Sequence, residues 1–174
     1  MFFSLCSEYL HWTVELTKVK KSSLAEERHG ALRSMGRGEF EDGLVKISGY
    51  TNDPMRAVFV LTNKTHYDLK IDWRKAQFVN IYGRTRPVEV TPWSGPWLEG
   101  LTEGATRDDG TLTEIKHAQS ARIRVSPADS PQIRRVCGDE MKGRTFEVLF
   151  PLEVEGKSYQ YVFIFEITRF RTTI

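Results

Sequence analysis

The chain lacks most of the features that mark specialised protein classes. Among its 174 residues it has two cysteines, Cys6 and Cys137. Two cysteines make no disulfide framework. A single Cys6–Cys137 bridge stays open for an exported protein; otherwise the pair reads as one buried thiol and one in a mobile terminus. No run approaches the ~20 apolar residues of a membrane span. The apolar start, Met1 to Leu5, is too short for the 7–15-residue stretch of a secretory signal. Leu5 also stands where a lipoprotein signal has a small residue before its cysteine. No working export signal is therefore expected. Net charge is low, at +2, with 25 basic and 23 acidic residues interleaved. A nucleic-acid binder concentrates its cations on one face, so no nucleic-acid partner is expected. The densest basic run, Lys18, Lys20 and Lys21, reads as a solvated face.

Catalytic and cofactor signatures are missing too. His11, His29, His66 and His117 are widely separated, and none has a second His or Cys two to four residues on. No metal-ligand spacing results. There is no Gly-x-Ser-x-Gly elbow. Gly36-Arg37-Gly38 lacks the flanking strand and helix of a phosphate loop. Cys137, near Arg134 and Arg135, reads as an inert loop thiol, because a reactive one needs a built positive setting. Glu103, Asp108 and Asp109 offer oxygens for calcium, but Asp-Asp-Gly is first of all a turn. A hydrolase would need Asp108, Asp109 or Glu140 gathered with a histidine in a cleft. The expectation is a non-enzymatic protein with no cofactor and no metal.

What the chain does have is alternation. His11 to Lys18 alternates as a half-buried strand, with Trp12, Val14, Leu16 and Lys18 on one side. Ser23-Leu24-Ala25-Glu26 has the form of a capping box, and Leu24, Ala31, Leu32 and Met35 follow at helical spacing. These predict a short amphipathic helix over 23–35, in an N-terminal arm spanning 1–39. From residue 40 the chain reads as strand after strand: 43–50, 56–62, 67–73, 76–82, 85–90, 113–117, 121–126, 145–154 and 158–168. Ala57, Phe59 and Leu61 face one way and Val58 and Val60 the other, which marks a central strand. Leu69, Ile71 and Trp73 alternate with Asp68, Lys70 and Asp72; Asp72 is placed to brace a turn. Glu155-Gly156 sits between two alternating runs and predicts a primed hairpin turn. Residues 91–111 and 127–142 read as loops. Short strands with frequent turns and no strand-helix alternation point to an all-β sandwich or barrel over 40–174.

A set of local strings carries a resemblance. Phe40-Glu41-Asp42 precedes a strand, and Phe59-Val60-Leu61-Thr62-Asn63-Lys64-Thr65 leads to Leu69-Lys70-Ile71-Asp72-Trp73 and Phe78-Val79. Phe150-Pro151-Leu152-Glu153-Val154 and Gly156-Lys157 close the series. Over roughly residues 40–168 this resembles a group of small bacterial envelope proteins, most of them described as lipoproteins of unknown function. The resemblance implies an immunoglobulin-like antiparallel β-sandwich, a bacterial cell-envelope setting and no catalytic residues. It is a likeness of fold motifs, and motifs of this kind say little about activity. The N-terminus departs from the group, so membrane association is expected only if Cys6 is lipidated.

Two places remain for a binding role. Pro92-Trp93-Ser94-Gly95-Pro96-Trp97 puts two tryptophans in a Pro/Gly loop. Exposed, Trp93 and Trp97 would make a sugar platform or a protein anchor; buried, they would cap the sandwich, the favoured reading because exposed aromatic patches are rare on monomers. The N-terminal arm or a sheet edge would serve a protein partner by docking or strand addition. The reading is thus a structural or protein-interaction module, with a carbohydrate or small-ligand module using the 91–111 loop as the alternative.

Overall fold

The most regular alternation in the chain becomes its longest hairpin. In the computed structural model, Thr145–Val154 (β12) and Lys157–Thr172 (β13) pair antiparallel, with Val154 opposite Lys157. Only Glu155 and Gly156 lie between them, and both have positive φ, 51° and 73°. That is the primed two-residue turn, whose twist matches the strands it joins. Phe146, Val148, Phe150 and Leu152 on β12, and Tyr161, Phe163, Phe165 and Ile167 on β13, are all buried.

The structure describes residues 10–23, 26–31, 38–51, 56–92, 105–106, 111–128 and 141–172. Before the hairpin come Leu10–Ser23 (β1), Glu26–Ala31 (β2), Glu39–Glu41 (β3), Val45–Tyr50 (β4) and Ala57–Asn63 (β5). Then follow Leu69–Asp72 (β6), Gln77–Val79 (β7), Thr85–Pro92 (β8), Ala105–Thr106 (β9), Leu112–Ile115 (β10) and Ser120–Pro127 (β11). The described residues contain no α-helix, and every strand pairing among them is antiparallel. The main sheet runs β2-β1-β13-β12-β7-β8-β11-β5-β4-β3, with β6 pairing both β12 and β10.

This sheet curls into a nearly closed barrel. One corner is β8: Thr85 to Pro87 pair with β7, and Val88 to Pro92 pair with β11. Across the opening, a bridge joins Val14 of β1 to Thr51, just past β4. Two halves therefore face each other, β4-β5-β11-β8 on one side and β7-β12-β13 on the other.

Aromatic rings fill the space between them. Phe59 of β5 meets Phe150, Phe163 and Phe165 edge-on, at centroid distances of 5.6, 5.0 and 5.9 Å. Phe146 stacks on both Phe78 and Phe165. Edge-to-face and offset contacts of this kind add to the gain from area burial alone. Trp73 is buried against Phe150, and its indole N–H donates to Thr113 Oγ1 at 2.8 Å. Trp73 opens a 3-10 turn, Trp73–Lys75, that separates β6 from β7. Asp72 braces this turn by accepting from the Arg74 backbone N–H and guanidinium.

Three expectations need correction. The predicted helix over 23–35 is not formed where the structure describes it: Glu26–Ala31 is a strand pairing back onto β1. Ser23 lies opposite Glu26, so the capping-box signature closes a hairpin instead. Gly30 weakens a helix there, while β1 offers an unpaired edge. Residues 10–23 of the arm run antiparallel along β13. Second, β1 does not keep simple alternation. A bulge between Leu16 and Lys18 leaves Lys18 exposed and turns Val19 inward, as an extra unpaired residue does. Third, the 91–111 segment is not all loop, since Thr91 and Pro92 end β8 and Ala105–Thr106 pair with β10.

Candidate interaction surface

Asn63 organises one end of the barrel. An asparagine in a turn such as Asn63-Lys64-Thr65 can bond the backbone two residues on, and it does: Asn63 Oδ1 accepts from the Thr65 N–H at 2.8 Å and from Thr65 Oγ1 at 2.9 Å. The amide also reaches further. Nδ2 donates to the carbonyls of Tyr67 and Ile115, at 2.7 and 2.8 Å. Its backbone N–H donates to Gln119, and its carbonyl accepts from Ala118. Asn63 is 1 % exposed. A buried amide must find partners for its donors and acceptor, and here the residue's partners lie on the 64–68 loop, the end of β10 and the 116–119 loop.

A second anchor sits beside it. Asp42, in the turn from β3 to β4, accepts with Oδ1 from the N–H groups of Leu44 and Val45. Oδ2 accepts from Lys21 Nζ of β1 and from the Tyr161 hydroxyl of β13, both at 2.7 Å. Lys21 lies 4.8 Å from the Tyr159 ring centroid. Asp42 thus ties both sides of the barrel opening together. Burial raises its pKa, but Lys21, Tyr161 and the two backbone donors outweigh burial, and the carboxyl titrates below its ordinary range. Burial first, then the Asp42 charge, drives the Tyr161 phenol far upward.

A pH prediction follows from Asp42. A lowered folded pKa adds stability above the unfolded value of about 3.9, and that stability is lost as pH falls through the folded value. Below about pH 4, the wild type should therefore lose stability more steeply than Asp42→Asn. At pH 7 the Asn variant should be about 2 kcal/mol less stable, the size of a hydrogen-bonded charge removed. Denaturant midpoints measured from pH 7 to 2 check both statements.

Around these anchors stand exposed side chains. His66 and His117 lie 51 residues apart in sequence, yet their ring centroids are 4.8 Å apart. His117 Nδ1 is 2.5 Å from the Thr65 carbonyl. Tyr67 is 52 % exposed, and the Glu155 carboxylate that accepts its hydroxyl raises the phenol pKa. Lys64 pairs with Glu41, which holds that carboxyl below its usual range. Four connections meet here: 42–44, 64–68, 116–119 and 155–156. No spacing in the sequence links these two histidines, which only the fold brings together. The one available signal was Asn63, whose turn chemistry was legible but whose distant partners were not.

Trp93 and Trp97, the sequence candidates for ligand or partner binding, lie outside the described residues, as do Cys6, Cys137, Asp108, Asp109 and Glu140. Among the described residues, no three His, Cys, Asp or Glu gather as metal ligands. A pocket of about 130 Å³ on the outer face lies between Lys70, Asp72, Pro151 and Ser158. It falls short of the ~300 Å³ at which small-molecule sites begin. No described helix is long and apolar enough to cross a membrane. No protein-family model matches the chain, and no curated protein or solved structure does either.

Proposed function

We propose that this protein is a non-enzymatic interaction module of the bacterial cell envelope, an immunoglobulin-like sandwich that serves as a subunit of a larger assembly. Strand order carries the fold part of this reading. Lettered in chain order from β4, with β6, β9 and β10 off the main path left unlettered, the two facing halves are A-B-E-D (β4-β5-β11-β8) and C-F-G (β7-β12-β13). This matches the order of a constant-type immunoglobulin domain, and Trp73, in the 3-10 turn that leads into strand C, is buried as the strand C tryptophan of such domains is. The envelope setting rests on the motif resemblance alone.

The same lettering supports a binding role. The 64–68 segment then opens the B–C connection, which also carries β6 and the 3-10 turn, and 155–156 is the F–G loop. In variable-type domains these loops share the binding end. Here they present His66, Tyr67 and Glu155, with His117 beside them. Tyrosine gives rigid, amphipathic contact area at low entropic cost. Asp42 and Asn63 hold the loops from beneath, so little ordering remains for docking.

Site-specific photo-crosslinking in the source cell tests this. A crosslinking residue at position 67 should give a discrete adduct, and so should one at 117. Tyr82 is equally exposed at 52 % but lies in the 80–84 turn at the other end of the barrel, so position 82 should give none. Equal adducts from 67 and 82, or none from 67 and 117, would reject this end as the docking surface.

A further inference from the structure

We infer that His66 and His117 together form a binding site for a divalent transition metal ion of the zinc, nickel and copper class. The Thr65 carbonyl can only accept, so His117 Nδ1, at 2.5 Å, carries the proton. The Nε2 lone pair is then directed away from the backbone. A ring N–H bonded to a main-chain carbonyl, with the other nitrogen free, is the usual arrangement of a metal-ligating histidine.

The second ring is already in place. His66 lies 4.8 Å away, centroid to centroid, with the rings tilted by 35°. Both rings are carried by exposed residues, so an ion has access. Thr65 before His66 is fixed by two bonds to Asn63, and the Thr65 hydroxyl bonds to Tyr67 after it. On the other loop, Gln119 N–H donates to the Lys116 carbonyl and Ala118 N–H to Asn63. Ala118 has a φ of 59°, an uncommon value for a residue other than glycine. Backbone held in such a region persists where its surroundings enforce it, often at binding sites. Both histidines therefore hang from one buried amide, and ordering them costs little when an ion arrives.

The donor set decides the ion. Imidazole suits zinc, nickel and copper; calcium and magnesium take oxygen. Two protein ligands leave the remaining positions to water.

Calorimetric titration of the full chain, kept reduced, with Zn²⁺ tests the site. The wild type should bind one ion at this site, and Ca²⁺ should not compete. His66→Ala and His117→Ala should each weaken Zn²⁺ binding by at least about tenfold, the loss that even an outer-shell partner of a metal typically carries. Circular dichroism should show both variants folded. Wild type that binds no Zn²⁺, or either variant binding as wild type does, overturns the proposal. Should a variant not fold, imidazole ¹⁵N spectra of the wild type decide: Zn²⁺ should shift the Nε2 signal of His117 and a ring-nitrogen signal of His66. A shift of only one, or of neither, overturns it equally.

Discussion

Replacing Asn63 by alanine should destabilise the protein by about 3–4 kcal/mol, combining several lost hydrogen bonds with buried groups left unpaired. The side chain makes four hydrogen bonds, to Thr65 twice, Tyr67 and Ile115. Ile115 is buried, so its carbonyl loses the Asn63 donor away from water. Asn63→Asp should cost more than alanine, because it sets carboxylate oxygens against the Tyr67 and Ile115 carbonyls and buries a charge. Guanidinium unfolding should show lowered midpoints with an unchanged slope. A cost below about 1 kcal/mol, the worth of one ordinary hydrogen bond, would mean that Asn63 does not organise this end.

Phe59→Ala should cost about 3–5 kcal/mol, the range for truncating a buried phenylalanine. Phe59 projects from β5 and touches three rings on the opposite half, Phe150, Phe163 and Phe165. Its removal opens a cavity between the halves that neither can close alone. The packing is tight on its own side too: a Cβ built on Gly49 would stand 3.3 Å from the Phe59 ring. Phe59→Leu keeps most of the volume and should cost clearly less. Domains of this kind have only about 5–15 kcal/mol in total, so the alanine variant should melt many degrees lower. Calorimetric melting checks this, and equal losses for Leu and Ala would contradict a close-packed role.

The strands were legible because their cause is local. Alternation in Phe146 to Leu152 and Tyr159 to Ile167 reports which side chains leave water, and the Glu155-Gly156 turn reports itself. The inward face of Trp73 and the bracing by Asp72 were readable for the same reason. The 23–35 segment was not. Ser23 and Glu26 suit a helix start and a tight hairpin alike, and only the presence of β1 as a neighbour decides between them. The bulge that turns Val19 inward is set by pairing with β13, so no periodicity of β1 announces it. The functional end was the least legible. Asn63 was visible as a turn former, yet its bond to Ile115 spans 52 residues. His66 and His117 carry no mutual spacing signal, because loop convergence comes from sheet order rather than from neighbouring residues.

Docking and metal binding at this end both require His66, His117 and the turn at Asn63 to meet as one surface. A nuclear Overhauser spectrum of the imidazole protons measures that most directly. Ring centroids 4.8 Å apart predict cross-peaks between the two histidines, and between His117 and Thr65. Their presence would support a converged loop end as the ground for both docking and metal binding. Well-resolved ring signals with no cross-peak between them would contradict it.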